Sequence, residues 1–275
     1  MSLLPLFFGS SVKLISKLSA KRAQRWAYYG FAHPFKGRLM STRLPAVLEE
    51  AQGFRYSSNK FSIQSYYWQN EGPVVLLAHG WESNASRWET LIRQLLQAGF
   101  SVVALDAPAH GLSNGALFSV PDYADAIEPL CRQFKPEYLI GHSMGAFTAL
   151  YFLTQHQHEF KKVVCLGSPF SMDDILQQYI TVTGLGSEYI KHIHAQWNQR
   201  FGLDVATFNP TAWLEKINTP LVICHDQDDA VVLYSQFEKL KEKAAQAKTI
   251  TTTGLGHSQQ DAGFFEKLIN TLKTQ

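Results

Sequence analysis

The chain has 275 residues, 45% of them hydrophobic, and a formal net charge of +2. That length and apolar content are enough for one sizeable core, and so small a charge lacks the basic excess that nucleic-acid binding demands. The average conceals an asymmetry, because residues 1–48 carry eight Lys or Arg and no Asp or Glu, leaving 17 basic against 23 acidic residues in the remainder.

Residues 1–54 read as a basic amphipathic extension. Over 8–30, Phe8, Val12, Ile15 and Leu18 recur at helical spacing, while Lys13, Lys17 and Lys21 form an i, i+4, i+8 row. The apolar stripe favours a helix packed on the acidic remainder or across a dimer interface. The basic row offers a second arrangement, peripheral attachment to an anionic membrane. The opening MSLLPLFFG has no basic residue ahead of its apolar run, so a secretory signal fits badly, although a basic, acid-free start also resembles an organelle transit peptide. No run approaches the ~18 apolar residues of a membrane span. Cys131, Cys165 and Cys224 lie in apolar stretches without metal-ligand spacing, an odd count that points to core thiols in a reducing compartment. The expected location is cytoplasmic, with membrane-peripheral attachment as the alternative.

From residue 55 to 275, short β-branched runs alternate with helix-like stretches, the pattern of an α/β domain with a mostly parallel sheet covered on both faces. Strands are expected at 61–69, Val74–Ala78, Val102–Asp106, Tyr138–His142, Val163–Gly167, Leu221–His225 and Thr249–Thr253. Helices are expected at 86–98, 120–134, 145–157, 235–246 and 259–273. Residues 168–216 break the alternation and are rich in aromatic and aliphatic side chains such as Phe170, Ile175, Tyr179 and Trp197. A helical cap over an apolar cleft is the expected role of so long an insertion.

Chemistry concentrates at three strand ends. Gly141-His142-Ser143-Met144-Gly145 places G-x-S-x-G after a strand-like run and before a helix-like one, a turn that exposes a serine hydroxyl while the glycines avoid clashes. A serine hydroxyl is a weak nucleophile and needs a base held by an acid. Further along, Asp226-Gln227-Asp228-Asp229 follows one strand, and Gly254-Leu255-Gly256-His257 follows the next. All three groups therefore fall at the carboxyl ends of strands, where ligands of parallel sheets collect. His156/His158 and His192/His194 have two-residue spacing, which points them apart on helices. No metal and no cofactor is expected.

With His79-Gly80-Trp81 after the first central strand and Asp106-Ala107-Pro108-Ala109-His110-Gly111-Leu112-Ser113 after the next, the chain from about residue 55 resembles the α/β-hydrolase superfamily. The resemblance implies an α/β-hydrolase fold with Ser143 as nucleophile, His257 as base and Asp229 as acid. Asp228 is the alternative acid, because Asp226 replaces the glycine that commonly opens the acid turn. It also implies an oxyanion hole from the backbone N–H groups of Trp81 and Met144, with His79 stabilising its loop. Ala109 departs from the family, standing where relatives have glycine. A serine at the elbow disfavours dehalogenase and epoxide-hydrolase chemistry, which use aspartate there. The implied function is a serine hydrolase of the carboxylesterase kind, cleaving an apolar carboxylic ester or thioester of small-molecule size through an acyl-enzyme, with lipase, peptidase, carbon–carbon bond hydrolase and acyltransferase chemistry also open on the same scaffold. The alternative is a non-catalytic hydrolase-like protein that binds a ligand or partner in the same cleft.

Overall fold

Two helices, α1 (Leu4–Ser16) and α2 (Ala20–Ala32), open the computed structural model, which describes residues 4–274. They replace the single helix expected over 8–30. The break falls at Lys17–Ser19, where the Ser19 side chain accepts from Arg22 N–H and caps the second helix. Leu18, expected on the apolar stripe, lies beyond the end of α1 and is exposed. No helix among the described residues is long and apolar enough to cross a membrane.

After the short α3 (Ala46–Glu49) comes a hairpin of β1 (Gln52–Ser58) and β2 (Phe61–Trp68), joined at Asn59-Lys60. Then follow β3 (Val74–Ala78), α4 (Glu89–Gln97), β4 (Ser101–Leu105), α5 (Val120–Phe134), β5 (Tyr138–His142), α6 (Met144–Gln155) and β6 (Lys162–Leu166). The insertion supplies α7 (Met172–Thr183), α8 (Glu188–Phe201) and α9 (Pro210–Leu214), and the chain closes with β7 (Leu221–Asp226), α10 (Tyr234–Lys243), β8 (Lys248–Thr252) and α11 (Ala262–Lys273).

The eight strands form one sheet in the order β1-β2-β4-β3-β5-β6-β7-β8, antiparallel at the β1-β2-β4 edge and parallel from β4 to β8. The central strands are apolar on both faces because each face carries helices. Leu76, Val103 and Leu139 enter the core with α5 and α6, whereas Val75, Leu77, Val102 and Ile140 enter the one with α4 and α11. The crossover from β4 back past β3 to β5 brings the loops after β3 and β5 together at the middle of the sheet.

The N-terminal hairpin packs on the insertion. Val12, Ala23 and Ala27 cluster with Ile180, Leu185 and Tyr189, and the Tyr179 hydroxyl donates to the Ala27 carbonyl at 2.9 Å. Arg200 of α8 reaches back to Asp122 of α5 at 2.6 Å, and the Ser119 hydroxyl bonds the same carboxylate. Close approach of α1 to α7 depends on Gly9, where any Cβ would collide with the Thr183 carbonyl. Gly9→Val is therefore expected to cost about 2 kcal/mol through overpacking and to expose α1, measured as a lower thermal midpoint and faster tryptic cleavage at Lys13 and Lys17. Unchanged cleavage would mean that α1 is not held by this contact.

Candidate active site

Ser143 is the single residue between β5 and α6. Its backbone sits at φ 52° and ψ −120°, a conformation that an L-residue adopts only under constraint. The constraint comes from both sides. Ser143 N–H donates to the Leu166 carbonyl of β6 at 2.8 Å, and α6 starts at the next residue. A Cβ on Gly141 would stand 2.6 Å from the backbone of Gly145 and Ala146, and one on Gly145 would strike the Ala78 carbonyl at the end of β3. The two motif glycines thus let α6 begin directly against the sheet. Gly80 completes the set: a Cβ there would lie 2.9 Å from the Ser143 Cβ.

His257 follows β8 in the loop Gly254–Gln259, and its Nδ1 lies 2.8 Å from Asp229 Oδ2. The other carboxylate oxygen of Asp229 accepts from the Val231 and Val232 N–H groups, both at 2.8 Å, which fixes the side chain on its own turn. The Asp229 side chain is fully buried. Burial alone would raise its pKa, but the hydrogen bond and charge of His257 and the two N–H donors outweigh it and hold the carboxyl below its usual range. Asp228 points elsewhere, accepting from Gly254 N–H at 2.8 Å.

Asp226 has a separate task that the sequence did not disclose. Its buried carboxylate accepts from the Asp228, Leu255 and Gly256 N–H groups, each at 3.0 Å, and from the Thr252 hydroxyl at 2.7 Å. Burial pushes its pKa up, yet these four donors win and lower it. It ties the turn bearing Asp229 to the loop bearing His257. His142, buried under the elbow, adds a second tie, its Nε2–H donating to the His257 carbonyl at 2.7 Å.

The loop after β3 is held in the same way. His79 accepts from Ala107 N–H at 2.9 Å through Nε2, and its Nδ1–H donates to the Gly80 carbonyl at 2.7 Å. His110 accepts from Glu82 N–H at 3.1 Å. Asp106 accepts from Ala85 and Leu112 N–H and from the Tyr66 hydroxyl. Burial raises the Asp106 pKa to about 6, against the pull of those donors. Both loop histidines are thus engaged as parts of the scaffold. Ala109 takes φ 68°, the left-handed conformation for which glycine is better suited.

Trp81 leaves this loop with its ring edge-on to His110 and Phe118. Met144 is the first residue of α6, where a backbone N–H has no carbonyl one turn earlier. Ser143, Met144 and Trp81 all border one cavity of about 300 Å³. Its remaining wall is mostly apolar, with Met172, Ile175, Tyr179 and Trp197 from the insertion and Val231 and Val232 from the acid turn. Gly30, Phe31 and Ala32, the last residues of α2, also line it, a contribution with no motif or spacing to announce it. The other paired histidines diverge. His156 lies 3.2 Å from Asp125 and His194 3.4 Å from Asp173, while His192 meets Gln24. Among the described residues, no three metal-binding side chains gather.

Comparison with known proteins agrees with this architecture. Residues 73–183 match the family described as alpha/beta hydrolase fold, and residues 136–270 match the prolyl oligopeptidase family. The probable lysophospholipase L2 of Haemophilus influenzae is 27% identical over 192 residues, which are 60% of this chain and 61% of that protein. The pimeloyl-[acyl-carrier protein] methyl ester esterase of Neisseria meningitidis is 31% identical over 131 residues, 43% of this chain and 49% of that one. The chain therefore spans less than two thirds of the length of either. An esterase of Pyrococcus furiosus superimposes with a TM-score of 0.65 at 20% identity, covering 87% of this chain and 96% of its own. With the sheet order, the elbow and these matches together, the chain belongs to the α/β-hydrolase superfamily.

Proposed function

We propose that this protein is a serine hydrolase that cleaves carboxylic esters or thioesters through an acyl-enzyme on Ser143. The observation that carries the reading is the His257–Asp229 pair, 2.8 Å apart after β8 and β7, at the same carboxyl edge of the sheet as the strained Ser143 that follows β5. His257 Nε2 accepts the Ser143 hydroxyl proton as Oγ attacks the substrate carbonyl carbon. The resulting oxyanion takes hydrogen bonds from the backbone N–H groups of Trp81 and Met144, donors fixed in advance where charge develops. The positive end of α6 favours the same charge. The tetrahedral intermediate then collapses, the alcohol or thiol leaves with the proton from His257, and the acyl group stays on Oγ. Water repeats the sequence, giving its proton to His257 and releasing the acid. Asp229, kept ionised by its three donors, accepts from His257 Nδ1–H throughout and stabilises the imidazolium.

The cavity favours an apolar acyl group. Its walls are aliphatic and aromatic, and about 300 Å³ is the lower end of ligand-pocket sizes. The names of the relatives, a lysophospholipase and an acyl-carrier-protein methyl ester esterase, support substrates with an acyl chain. Helices α7 and α8 act as a cap over the acyl site, and the end of α2 forms part of its wall.

Ser143→Ala is expected to abolish labelling by a fluorophosphonate probe and to lower ester turnover by several orders of magnitude. Labelling that survives the substitution would remove Ser143 as nucleophile, and a wild-type protein that takes no label would leave ligand binding as the function of the cleft.

The three carboxylates of the acid turn should separate in kinetics and stability. Asp229→Asn should lower kcat by about four orders of magnitude, as loss of the correct histidine tautomer does, with little change in the unfolding midpoint. Asp228→Asn should change kcat only a few-fold. Asp226→Asn leaves one acceptor for four donors and should cost about 2 kcal/mol of stability while loosening His257. Equal kinetic effects at 228 and 229, measured with p-nitrophenyl esters, would refute the assignment of Asp229.

Acid should destabilise the fold through its buried histidines. Burial first, then neighbouring positive charge, holds His79 and His142 well below the usual histidine pKa, and burial lowers His110 to about 4. As pH falls through about 6.5, the unfolded chain takes up protons that the folded chain refuses. The stability these histidines carry is therefore full above that pH and is lost as pH falls, for His110 down to about 4, at roughly 1.4 kcal/mol per pH unit for each such histidine, while Asp106, raised to about 6, contributes the opposite slope below that pH. Urea unfolding at pH 7.5, 6 and 5 reads this slope, and His110→Asn should reduce it by one histidine's share. A slope unaffected by the substitution would show that His110 titrates normally in the folded state.

A further inference from the structure

Helix α1 is apolar on both sides. Phe8, Val12 and Ile15 face α2 and the insertion. On the solvent side Phe7 and Leu14 follow at i and i+7, with Leu18 just past the helix end, and they are 66%, 64% and 87% exposed. Trp26 of α2 is 50% exposed. An apolar stripe of this kind in contact with water marks a surface that meets something else.

The cations around it limit what that partner is. Lys13, Lys17, Lys21, Arg22 and Arg25 are all exposed, and residues 1–48 contain no acid. Although the rest of the chain is acidic, none of these five makes an ion pair among the described residues. A second copy meeting this face about a two-fold axis would set cations against cations. An anionic surface with an apolar interior satisfies both groups.

Helix α1 also adjoins an element that walls the cavity. Gly9 presses on Thr183, and Leu6 packs near Gly184 at the end of α7. Val182, two residues before Gly184, lines the cavity while 47% exposed, as does Val231 of the acid turn. Through Leu6, itself 48% exposed, the edge of α1 thus reaches the end of α7 that carries part of the apolar rim of the cavity bordered by Ser143.

We propose that the outer face of the α1–α2 hairpin docks on an anionic phospholipid bilayer. Phe7, Leu14, Leu18 and Trp26 enter the headgroup–acyl boundary, and Lys13, Lys17, Lys21, Arg22 and Arg25 pair with lipid phosphates. Docking in this pose sets the cavity rim at the lipid surface. The surface does not depend on the proposed hydrolysis, and the Ser143→Ala protein should bind as the wild type does.

Sedimentation of the full chain with vesicles of phosphatidylcholine alone, or with one quarter phosphatidylglycerol, tests the proposal. Wild-type and Ser143→Ala proteins should bind the anionic vesicles and release them in high salt. A Lys13→Glu, Lys17→Glu, Lys21→Glu variant should bind about a hundredfold more weakly or worse. A Phe7→Ser, Leu14→Ser, Leu18→Ser variant should lose about tenfold or more. These positions are exposed, and circular dichroism and the thermal midpoint verify that each variant folds. Absence of wild-type binding to anionic vesicles would overturn the proposal, and a dimer in light scattering that the Phe7→Ser, Leu14→Ser, Leu18→Ser variant dissociates would overturn it by assigning the face to a second copy. Vesicle binding that survives both triple substitutions would overturn it equally, by moving the contact elsewhere on the molecule.

Discussion

Everything at the centre of this molecule follows from allowing one residue, Ser143, to connect a strand to a helix. A connection that short forces α6 to start against the ends of β3 and β5, so backbone meets backbone where side chains would normally intervene. Gly80, Gly141 and Gly145 are the residues that make this contact possible, and each would collide with a neighbour if it carried a Cβ. The strain at Ser143 is of the order of 1–3 kcal/mol, small beside the burial provided by the sheet and its two helical layers. The rigid core can therefore sustain an unfavourable backbone conformation at one point and keep the hydroxyl turned toward the cavity.

Around that point three buried carboxylates organise four loops, each carboxylate with its own donors. Asp106 ties the loop after β4 to the one after β3, Asp226 ties the acid turn to the histidine loop, and Asp229 meets His257. The N–H donors make the difference between them. Asp226 and Asp229 gather enough hydrogen bonds to hold their carboxyls below the usual range, whereas burial dominates at Asp106. Buried carboxylates are costly to desolvate unless their lone pairs are satisfied. Here that satisfaction comes largely from loop backbone, so the same bonds that offset the burial also fix the loops.

The strongly apolar central strands and the elbow were legible in the sequence because periodicity and glycine spacing are local signals. β3, β5 and β6 fall within a residue or two of the expected runs, and the G-x-S-x-G turn falls between a strand and a helix as its context implied. The β1 strand was missed, although Phe54 and Tyr56 alternate ahead of the turn at Asn59, because an edge strand has a weak and partly polar pattern. The sequence pattern predicts one N-terminal helix where there are two, since the apolar spacing continues to Leu18 while the chain turns at Ser19. In the sequence, Asp226 stands out only as a replacement for the glycine that commonly opens the turn. Its work lies in contacts with residues about thirty positions away, and no local pattern encodes those. The wall formed by Gly30–Ala32 is equally non-local.

That wall has a thermodynamic consequence. Because the end of α2 borders the same cavity as Ser143, any ligand that touches Phe31 also holds the N-terminal hairpin against the insertion. Occupancy and docking then share one coupling free energy, and it acts in both directions by the same factor. A chain whose hairpin is loosened binds its ligand more weakly, and a filled cavity protects the amides of α1 and α2 from exchange although the ligand lies on their inner side. The N-terminal segment is in this sense an effector carried in the same chain, present at a fixed and very high local concentration.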